Sequence, residues 1–264
     1  MSNDEILSER QGRVEVITLN RPDKCNAWTN SMMLSAWVAV RRAGEDPDVR
    51  VIVITGAGSA FSSGADVDEF KAAYEMSKAT GEHRPALDHV KLEEFAVEIR
   101  RVRKPIIAAI NGAAVGLGFS VPLAVDIRIA SDKARLGAIF LHMALGPEFG
   151  SSYNLTRLVG IAKACELVFT ARIVEAQEAK EIGLVNHVVP HAELMSFTMD
   201  MAQTIAKMPA QALSFAKDVL YNGMDAPHAP QIHAETLSNQ IGRQHADHEE
   251  GVLAFLAKRE PNWG

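Results

Sequence analysis

Three short segments of the chain carry residue types that could remove a proton next to a carbonyl group. Glu148 is the acidic side chain of residues 145–152, LGPEFGSS, and two glycine-containing segments precede it, 61–66 (FSSGAD) and 111–118 (NGAAVGLG). A carboxylate can act as a general base, and backbone N–H groups can hold the negative charge that develops on a carbonyl oxygen. The sequence therefore indicates proton transfer at a carbonyl compound, provided that the three segments meet in space.

The segment 111–118 predicts a strand that runs through a glycine turn into a helix. Gly116 and Gly118 would let the backbone approach a ligand closely. The helix is expected to begin near Leu117, and the first N–H groups of a helix are unpaired and lie at the positive end of its dipole. The Leu117 N–H is therefore a candidate oxyanion donor. The alternative is a tight strand-to-helix turn whose glycines serve packing.

The segment 61–66 predicts a second helix start. Asp66 is a suitable N-cap for a helix that begins beside it, and the Ala65 N–H is a candidate for the second oxyanion donor. An ordinary capped helix start is the alternative interpretation of this segment.

Glu148 also has two interpretations. It is either the base or a first-turn glutamate that is stabilised by the dipole of a helix expected from about Gly150. If Phe140 and Phe149 line the site, desolvation should raise the pKa of the carboxyl group and make it a better base.

The bulk composition excludes several other functions. The chain has 264 residues, 47% of them hydrophobic and 23% charged, which predicts a soluble globular protein with a large core. The net charge of −6 argues against a nucleic-acid partner but allows an anionic small ligand. Two isolated cysteines, Cys25 and Cys165, and a polar N-terminus without a signal peptide indicate a reducing, cytoplasmic location. The nine histidines lack metal-ligand spacing, so no metal site is expected.

Residues 105–125 are almost wholly apolar and could by length span a membrane. The glycines at 112, 116 and 118 and the proline at 122 favour a buried strand, a turn and a buried helix instead. No membrane partner is therefore expected.

The remaining pattern predicts buried strands that alternate with helices, and then a helical region. Strands are expected at 14–19, 49–55, 105–110 and 126–130, and helices at 28–43, 87–103, 162–170, 175–181, 192–208, 210–221 and within 231–258. Thr29 or Asn30 could cap the first helix. Residues 75–85 are predicted to form a mobile loop. The chain is expected to be mostly helical from about residue 160, with a domain boundary near residue 195.

Four motifs in this order resemble the crotonase superfamily, the enoyl-CoA hydratase/isomerase family. They are residues 20–27 (NRPDKCNA), 61–66, 111–116 (NGAAVG) and 176–189 (AQEAKEIGLVNHVV). The resemblance implies a β–β–α spiral core over residues 1–195 that contains the active site. It also implies a C-terminal helical oligomerisation region over 196–264, a homotrimer or dimer of trimers, and an acyl-CoA thioester as substrate. Coenzyme A is then part of the substrate, and no separate cofactor is expected.

The resemblance also implies roles for individual residues. Ala65 and Leu117 match the two oxyanion donors of the family, which act through their backbone N–H groups. Lys258 matches a C-terminal lysine that reaches the phosphates of coenzyme A. The other residues that match the region around coenzyme A are Lys24, Ala27, Ser63, Gly64, Asp66, Val67 and Gly116. A solvated surface lysine is the alternative for Lys24 and for Lys258.

Two departures from the family pattern decide the expected reaction. Typical enoyl-CoA hydratases carry glutamates at the positions that are Ser120 and Phe140 here. Glu148 instead matches the lone acid of the enoyl-CoA isomerase branch, so double-bond isomerisation by one glutamate base is predicted. The alternatives are a hydratase that uses one carboxylate, and a non-catalytic acyl-CoA-binding protein that kept the fold.

Overall fold

The computed structural model describes residues 4–82 and 85–263. Its strands are β1 (Ile6–Gln11), β2 (Val14–Leu19), β3 (Val51–Gly56), β4 (Ala60–Ser62), β5 (Ile106–Ile110), β6 (Ala113–Val115), β7 (Ile127–Ser131), β8 (Arg135–Gly137), β9 (Ile173–Glu175) and β10 (His187–Val189). Its α-helices are α1 (Asn30–Glu45), α2 (Val67–Thr80), α3 (His89–Arg101), α4 (Leu117–Leu123), α5 (Ser151–Thr170), α6 (Ala176–Glu181), α7 (Leu194–Ala206), α8 (Ala210–Gly223), α9 (His228–Gly242) and α10 (Ala246–Ala257). Short 3-10 helices cover Pro22–Lys24, Ile139–Met143 and His191–Glu193.

The strands form two sheets. The larger sheet has the order β1-β2-β3-β5-β7-β10 and is parallel except for the antiparallel pair β1 and β2. The smaller sheet has the order β4-β6-β8-β9. Each of β3, β5 and β7 is followed by a short strand of the smaller sheet and then by helix, so the chain winds as repeated β–β–α units. This confirms the α/β class and the spiral core that the resemblance implied.

The central strands are apolar because both faces of the larger sheet are covered. On one face, α7 packs Leu194 and Ala202 against Val51, Val53 and Ile107. The opposite face contributes to a larger cluster that includes Trp28, Phe61, Phe95 and Phe119. This second cluster includes Phe61, Leu117 and Phe149, which belong to the three segments proposed to carry the chemistry. The core therefore positions the candidate site directly.

The predicted core strands are confirmed, but sequence analysis missed β1 and β10 of the larger sheet and the whole of the smaller sheet. β1 lies at the edge of the larger sheet, and most of its residues are exposed, so it lacks the apolar pattern of a buried strand. The strands β4, β6, β8 and β9 have three residues each, which is too short for any periodicity to be detected.

The predicted mobile loop at 75–85 is wrong for its first half. Helix α2 continues to Thr80 and ends at Gly81, whose φ of 74° closes the helix in the left-handed conformation. Residues 83 and 84 lie outside the described part of the chain. The apolar stretch 105–125 is the predicted strand, turn and helix, although β6 is inserted in the turn. Among the described helices, none has the length and apolar character needed to cross a bilayer.

Candidate active site

The two glycine segments meet in space, as the proposed chemistry requires. β4 and β6 pair in parallel, with Ser62 opposite Ala114. Just beyond them, a Cβ atom on Gly64 would lie 3.0 Å from the Val115 carbonyl oxygen and 3.6 Å from the Leu117 nitrogen. A Cβ atom on Gly118 would lie 2.4 Å from the Ser62 carbonyl oxygen. Glycine is therefore required at both positions, because the two backbones touch.

Both candidate oxyanion donors have free N–H groups. Within residues 4–82 and 85–263, neither the Ala65 N–H nor the Leu117 N–H donates a hydrogen bond. Trp28 holds the backbone on both sides of Ala65: its N–H donates to Gly64 at 2.8 Å, and its carbonyl accepts from Asp66 at 2.9 Å. Leu117 is the first residue of α4, where an N–H has no partner inside the helix.

Two buried asparagines brace these segments. The side-chain amides of Asn26 and Asn111 both donate to the Ala60 carbonyl, at 2.8 and 3.2 Å. Asn26 also donates to the Ala57 carbonyl and Asn111 to the Gly58 carbonyl. Sequence analysis quoted both residues within motifs but assigned them no role. A buried asparagine cannot be told from an exposed one by its residue type. Only its position within a motif could have indicated a structural role.

Glu148 lies in a strained connection between the 3-10 helix Ile139–Met143 and α5. The next two residues, Phe149 and Gly150, have φ angles of 52° and 69°. A positive φ is costly for phenylalanine, and such strain is typical of functional sites. The Phe149 ring packs edge-on against Phe95, with 5.3 Å between centroids. Phe149 belongs to the same buried cluster as Leu117, the candidate oxyanion donor at the start of α4, and α5 contacts α4.

The environment of Glu148 suits a base rather than a helix-stabilising acid. The helix N-cap is Gly150, so Glu148 lies before the helix and not in its first turn. Burial raises the pKa of the Glu148 carboxyl above its ordinary value of 4.5. In the described part of the chain, the carboxylate has no hydrogen-bond or ion-pair partner to oppose that effect. The group is half-buried and available to a ligand.

This shift predicts the pH dependence of the reaction. Glu148 must be ionised to accept a proton, and its pKa is raised, so activity should fall as the pH drops through a midpoint above 4.5. The measurement is kcat/KM against pH. Aliquots held at each pH and then assayed at pH 7 control for acid unfolding. A midpoint at or below 4.5 would contradict the proposed environment of Glu148.

The two positions that carry glutamates in typical hydratases, 120 and 140, have no carboxylate in this chain. Ser120 is fully buried, and its hydroxyl donates to the Gly116 carbonyl at 3.3 Å. Phe140 is 5% exposed and packs in the core. Each side chain therefore has a structural role in this chain.

The structure brings Lys24 together with the segment 63–67. The Lys24 ammonium lies 3.1 Å from the Asp68 carboxylate, and the Ser63 hydroxyl donates to the Lys24 carbonyl at 3.4 Å. The hydrogen bond and charge of Asp68 raise the pKa of Lys24. Ala27 is buried beside them, and Val67 is exposed. This exposed side of the first two motifs is a suitable place for the polar end of a large ligand.

The Asp66 side chain stabilises the start of α2 and the loop that precedes it. Its carboxylate accepts from the Asp68 N–H at 2.9 Å, which caps α2 as predicted, and it lies 2.8 Å from Arg21. Burial opposes ionisation, but the hydrogen bonds from Asp68 and Arg21 together lower the pKa of Asp66. Arg21 also donates to the Ala27 carbonyl at 2.5 Å. Sequence analysis gave Arg21 no role, although it lies in the first motif.

Lys258 lies near the C-terminus, and its side chain makes no hydrogen bond or ion pair with Lys24 or the segment 63–67. It is exposed and caps the C-terminus of α10 with a φ of 53°. No hydrogen bond or ion pair from its side chain is found within residues 4–82 and 85–263. In that same part of the chain, no three His, Cys, Asp or Glu side chains are grouped as metal ligands.

Comparisons with known proteins show the family to which this chain belongs. The sequence profile described as "Enoyl-CoA hydratase/isomerase" matches residues 9–264. The chain belongs to the enoyl-CoA hydratase/isomerase family. A probable enoyl-CoA hydratase of Mycobacterium tuberculosis is 34% identical, and the alignment covers 100% of this chain and 99% of the relative. A short-chain-enoyl-CoA hydratase of Clostridium acetobutylicum is 33% identical over 98% of this chain and 97% of its own length.

The fold comparison agrees with the family. The crystal structure of an enoyl-CoA hydratase from Bacillus anthracis has a TM-score of 0.91 and 31% identity, and the match covers 98% of this chain and 99% of that chain. The chain is thus an enzyme of the enoyl-CoA hydratase/isomerase family. The names of these relatives do not support the narrower assignment to the isomerase branch.

Proposed function

We propose that this family member acts on an acyl-CoA thioester and moves a carbon–carbon double bond by a one-base mechanism. The observation that carries the proposal is Glu148, a half-buried carboxylate with a raised pKa, in a site where Ser120 and Phe140 occupy the positions of the usual hydratase glutamates. Hydration needs a water molecule held by acid and base groups. A bond shift needs one base and a place for the enolate oxygen.

The mechanism follows from the residues already described. Glu148 removes a proton from C2 of a 3-enoyl thioester, and the thioester oxygen takes up the negative charge. The N–H groups of Ala65 and Leu117 stabilise that oxygen. The protonated Glu148 then returns the proton to C4, so the double bond moves from C3–C4 to C2–C3. No atom enters or leaves, and the base is regenerated.

The polar end of the substrate is assigned to the surface beside the first two motifs. Lys24 and the exposed backbone of residues 63–67 would contact coenzyme A, which is part of the substrate, and no separate cofactor is proposed. Lys258 would contribute to this surface only through a rearranged or neighbouring C-terminal helix. Two unpaired cysteines, one exposed and one half-buried, support a reducing, cytoplasmic setting.

Hydration is the second candidate, and the names of the relatives favour it. In that reaction Glu148 would activate water by itself. The wild-type enzyme can be tested with two substrates, a 3-enoyl-CoA and crotonyl-CoA, at equal concentration. Isomerisation should be much faster than hydration. Rapid hydration without isomerisation would reverse the order of the two candidates.

A non-catalytic acyl-CoA-binding protein is the remaining candidate. It would bind the 3-enoyl-CoA but would not exchange the C2 protons with deuterium oxide. Exchange at C2, followed by mass spectrometry, therefore separates binding from catalysis. Tight binding without exchange would favour this candidate.

We also propose that the chain assembles as a trimer or a dimer of trimers. The C-terminal helices expose large apolar side chains, among them Leu220, Leu256 and Phe255, and the last of these is 83% exposed. Exposed apolar patches of this kind mark interaction surfaces. Light scattering should find an oligomer at micromolar concentration, and Phe255→Glu should weaken it. Val38→Glu, at an exposed apolar residue of α1, is the matched control. A wild-type monomer would contradict the assembly.

A further inference from the structure

A cavity lies at the opposite end of the larger sheet from the candidate active site. Its volume is about 620 Å³, and Arg50 and Pro105 line it where β3 and β5 begin. The oxyanion segments follow the other ends of the same parallel strands. β3 has six residues, so the two places are separated by about 20 Å, the length of the strand. The cavity is therefore distinct from the active site.

The cavity collects positive charge in a protein whose net charge is −6. Four cationic side chains line it: Arg13, Arg50, Arg103 and Lys104. Two carboxylates, Glu45 and Asp48, also line it. Those carboxylates have cationic partners elsewhere, since Glu45 lies 3.9 Å from Arg41 and Asp48 lies 3.5 Å from Arg10.

Two of the cations form no direct ion pair with a carboxylate in the described part of the chain. The Arg13 side chain makes no hydrogen bond or ion pair within the described part of the chain. The Lys104 ammonium donates to the main-chain carbonyls of Ala43, at 2.8 Å, and Asp46. An ammonium has three donors, so one remains for a ligand. Desolvation lowers the pKa of Lys104 to about 8, although the nearby charge of Asp46 opposes this effect.

A residue with an unpartnered hydroxyl lies in the wall of the same cavity. Ser214 is 9% exposed and lines the cavity from the first turns of α8. Its hydroxyl oxygen is buried and has no hydrogen-bond partner among the described residues. Buried polar groups are nearly always hydrogen-bonded, so an orphan hydroxyl in a wall that also carries several cations points to a missing acceptor. An anion would supply it.

The rest of the wall is apolar. Pro105, Leu213 and Phe215 line the cavity beside Ser214. The volume far exceeds that of an inorganic anion and is typical of sites for small organic ligands. A ligand that fits would therefore carry both a compact, highly charged group and an apolar group.

We propose that this cavity binds a phosphate monoester that carries an apolar group. Arginine forks and an ammonium suit the oxygens of a phosphate dianion, and the Ser214 hydroxyl donates to one of them. The apolar group packs against Leu213 and Phe215. The site is independent of the reaction at Glu148.

Calorimetric titration of the full-length protein tests the site with two probes, inorganic phosphate and phenyl phosphate, at fixed ionic strength in chloride. Phenyl phosphate should bind about tenfold more tightly, because its ring buries apolar surface. Arg13→Gln and Lys104→Gln should each weaken binding about tenfold, since each removes a charge-assisted hydrogen bond.

Ser214→Ala gives the sharpest test because it leaves the charge unchanged. Phosphate affinity should fall about fivefold, whereas Tm without ligand should stay constant or rise, because an unsatisfied hydroxyl is removed. Lys180→Gln, which removes one charge from the exposed surface of α6, and Lys24→Gln, at the other end of the sheet, should leave phosphate binding unchanged.

Specific outcomes would overturn the proposal. The first is that neither probe binds more tightly than chloride. The second is that binding of the probes is unchanged in both Arg13→Gln and Ser214→Ala. The third is that Lys180→Gln weakens binding of the probes as much as the cavity variants do. Loss of binding in Lys24→Gln would place the phosphate in the active-site region instead. Equal affinity for the two probes would overturn the assignment of an apolar ligand group.

Discussion

Glu148→Gln should abolish both deuterium exchange at C2 and conversion of a 3-enoyl-CoA to a 2-enoyl-CoA. Glutamine has nearly the same shape as glutamate but cannot accept a proton, and loss of a general base costs about a thousandfold in rate. The substrate should still bind, because the oxyanion donors and the Lys24 surface are untouched. The measurements are kcat, the rate of C2 exchange and calorimetric affinity for the acyl-CoA.

The control for Glu148→Gln is Glu181→Gln, which makes the same chemical change at an exposed residue of α6. That variant should keep wild-type rates. A Glu148→Gln enzyme that still turns over at the wild-type rate would remove Glu148 from the mechanism. Loss of acyl-CoA binding together with turnover would assign it to binding instead.

Leu117→Pro should remove one oxyanion donor and most of the activity. The expected loss is about 3–4 kcal/mol of transition-state stabilisation, or roughly two to three orders of magnitude in kcat. The position suits the experiment because Leu117 is the first residue of α4 and its N–H is unpaired in the described structure. Proline is well tolerated at the first position of a helix, so the fold should survive.

Leu117→Ala separates the donor from the side chain. Leu117 is 1% exposed, so both variants lose core packing, but only proline loses the N–H. Leu117→Ala should lower Tm and retain much of the kcat. Circular dichroism must first show that both variants are folded. Full turnover by a folded Leu117→Pro enzyme would exclude this N–H as an oxyanion donor.

Several features of this protein could be predicted because their causes are local. The strands β3 and β5 are buried on both faces, so they are continuous apolar runs in the sequence. Asp66 caps α2 and Thr29 caps α1 through contacts with residues two or three positions away. The direction of the Glu148 pKa shift also followed from its neighbours, since Phe149 beside it is buried.

Other features depend on partners that are distant in the chain. The three-residue strands of the smaller sheet exist through pairing, as when Ala60 meets Ala113, and such short segments have no period of their own. The same applies to the ion pair of Lys24 with Asp68. The predicted loop after residue 75 failed for a related reason, because the helix signal there is weak and α2 has no buried residue.

The sequence by itself therefore determined which groups could act: one glutamate, two glycine turns and the missing second carboxylates. The tertiary structure alone decided that the turns touch, because the contact between Gly64 and Leu117 joins segments that are far apart in sequence. It also decided that cations from three separate segments line one cavity together with Ser214 at the other end of the sheet. Residue types set the available chemistry, whereas long-range packing sets which groups are close enough to act together.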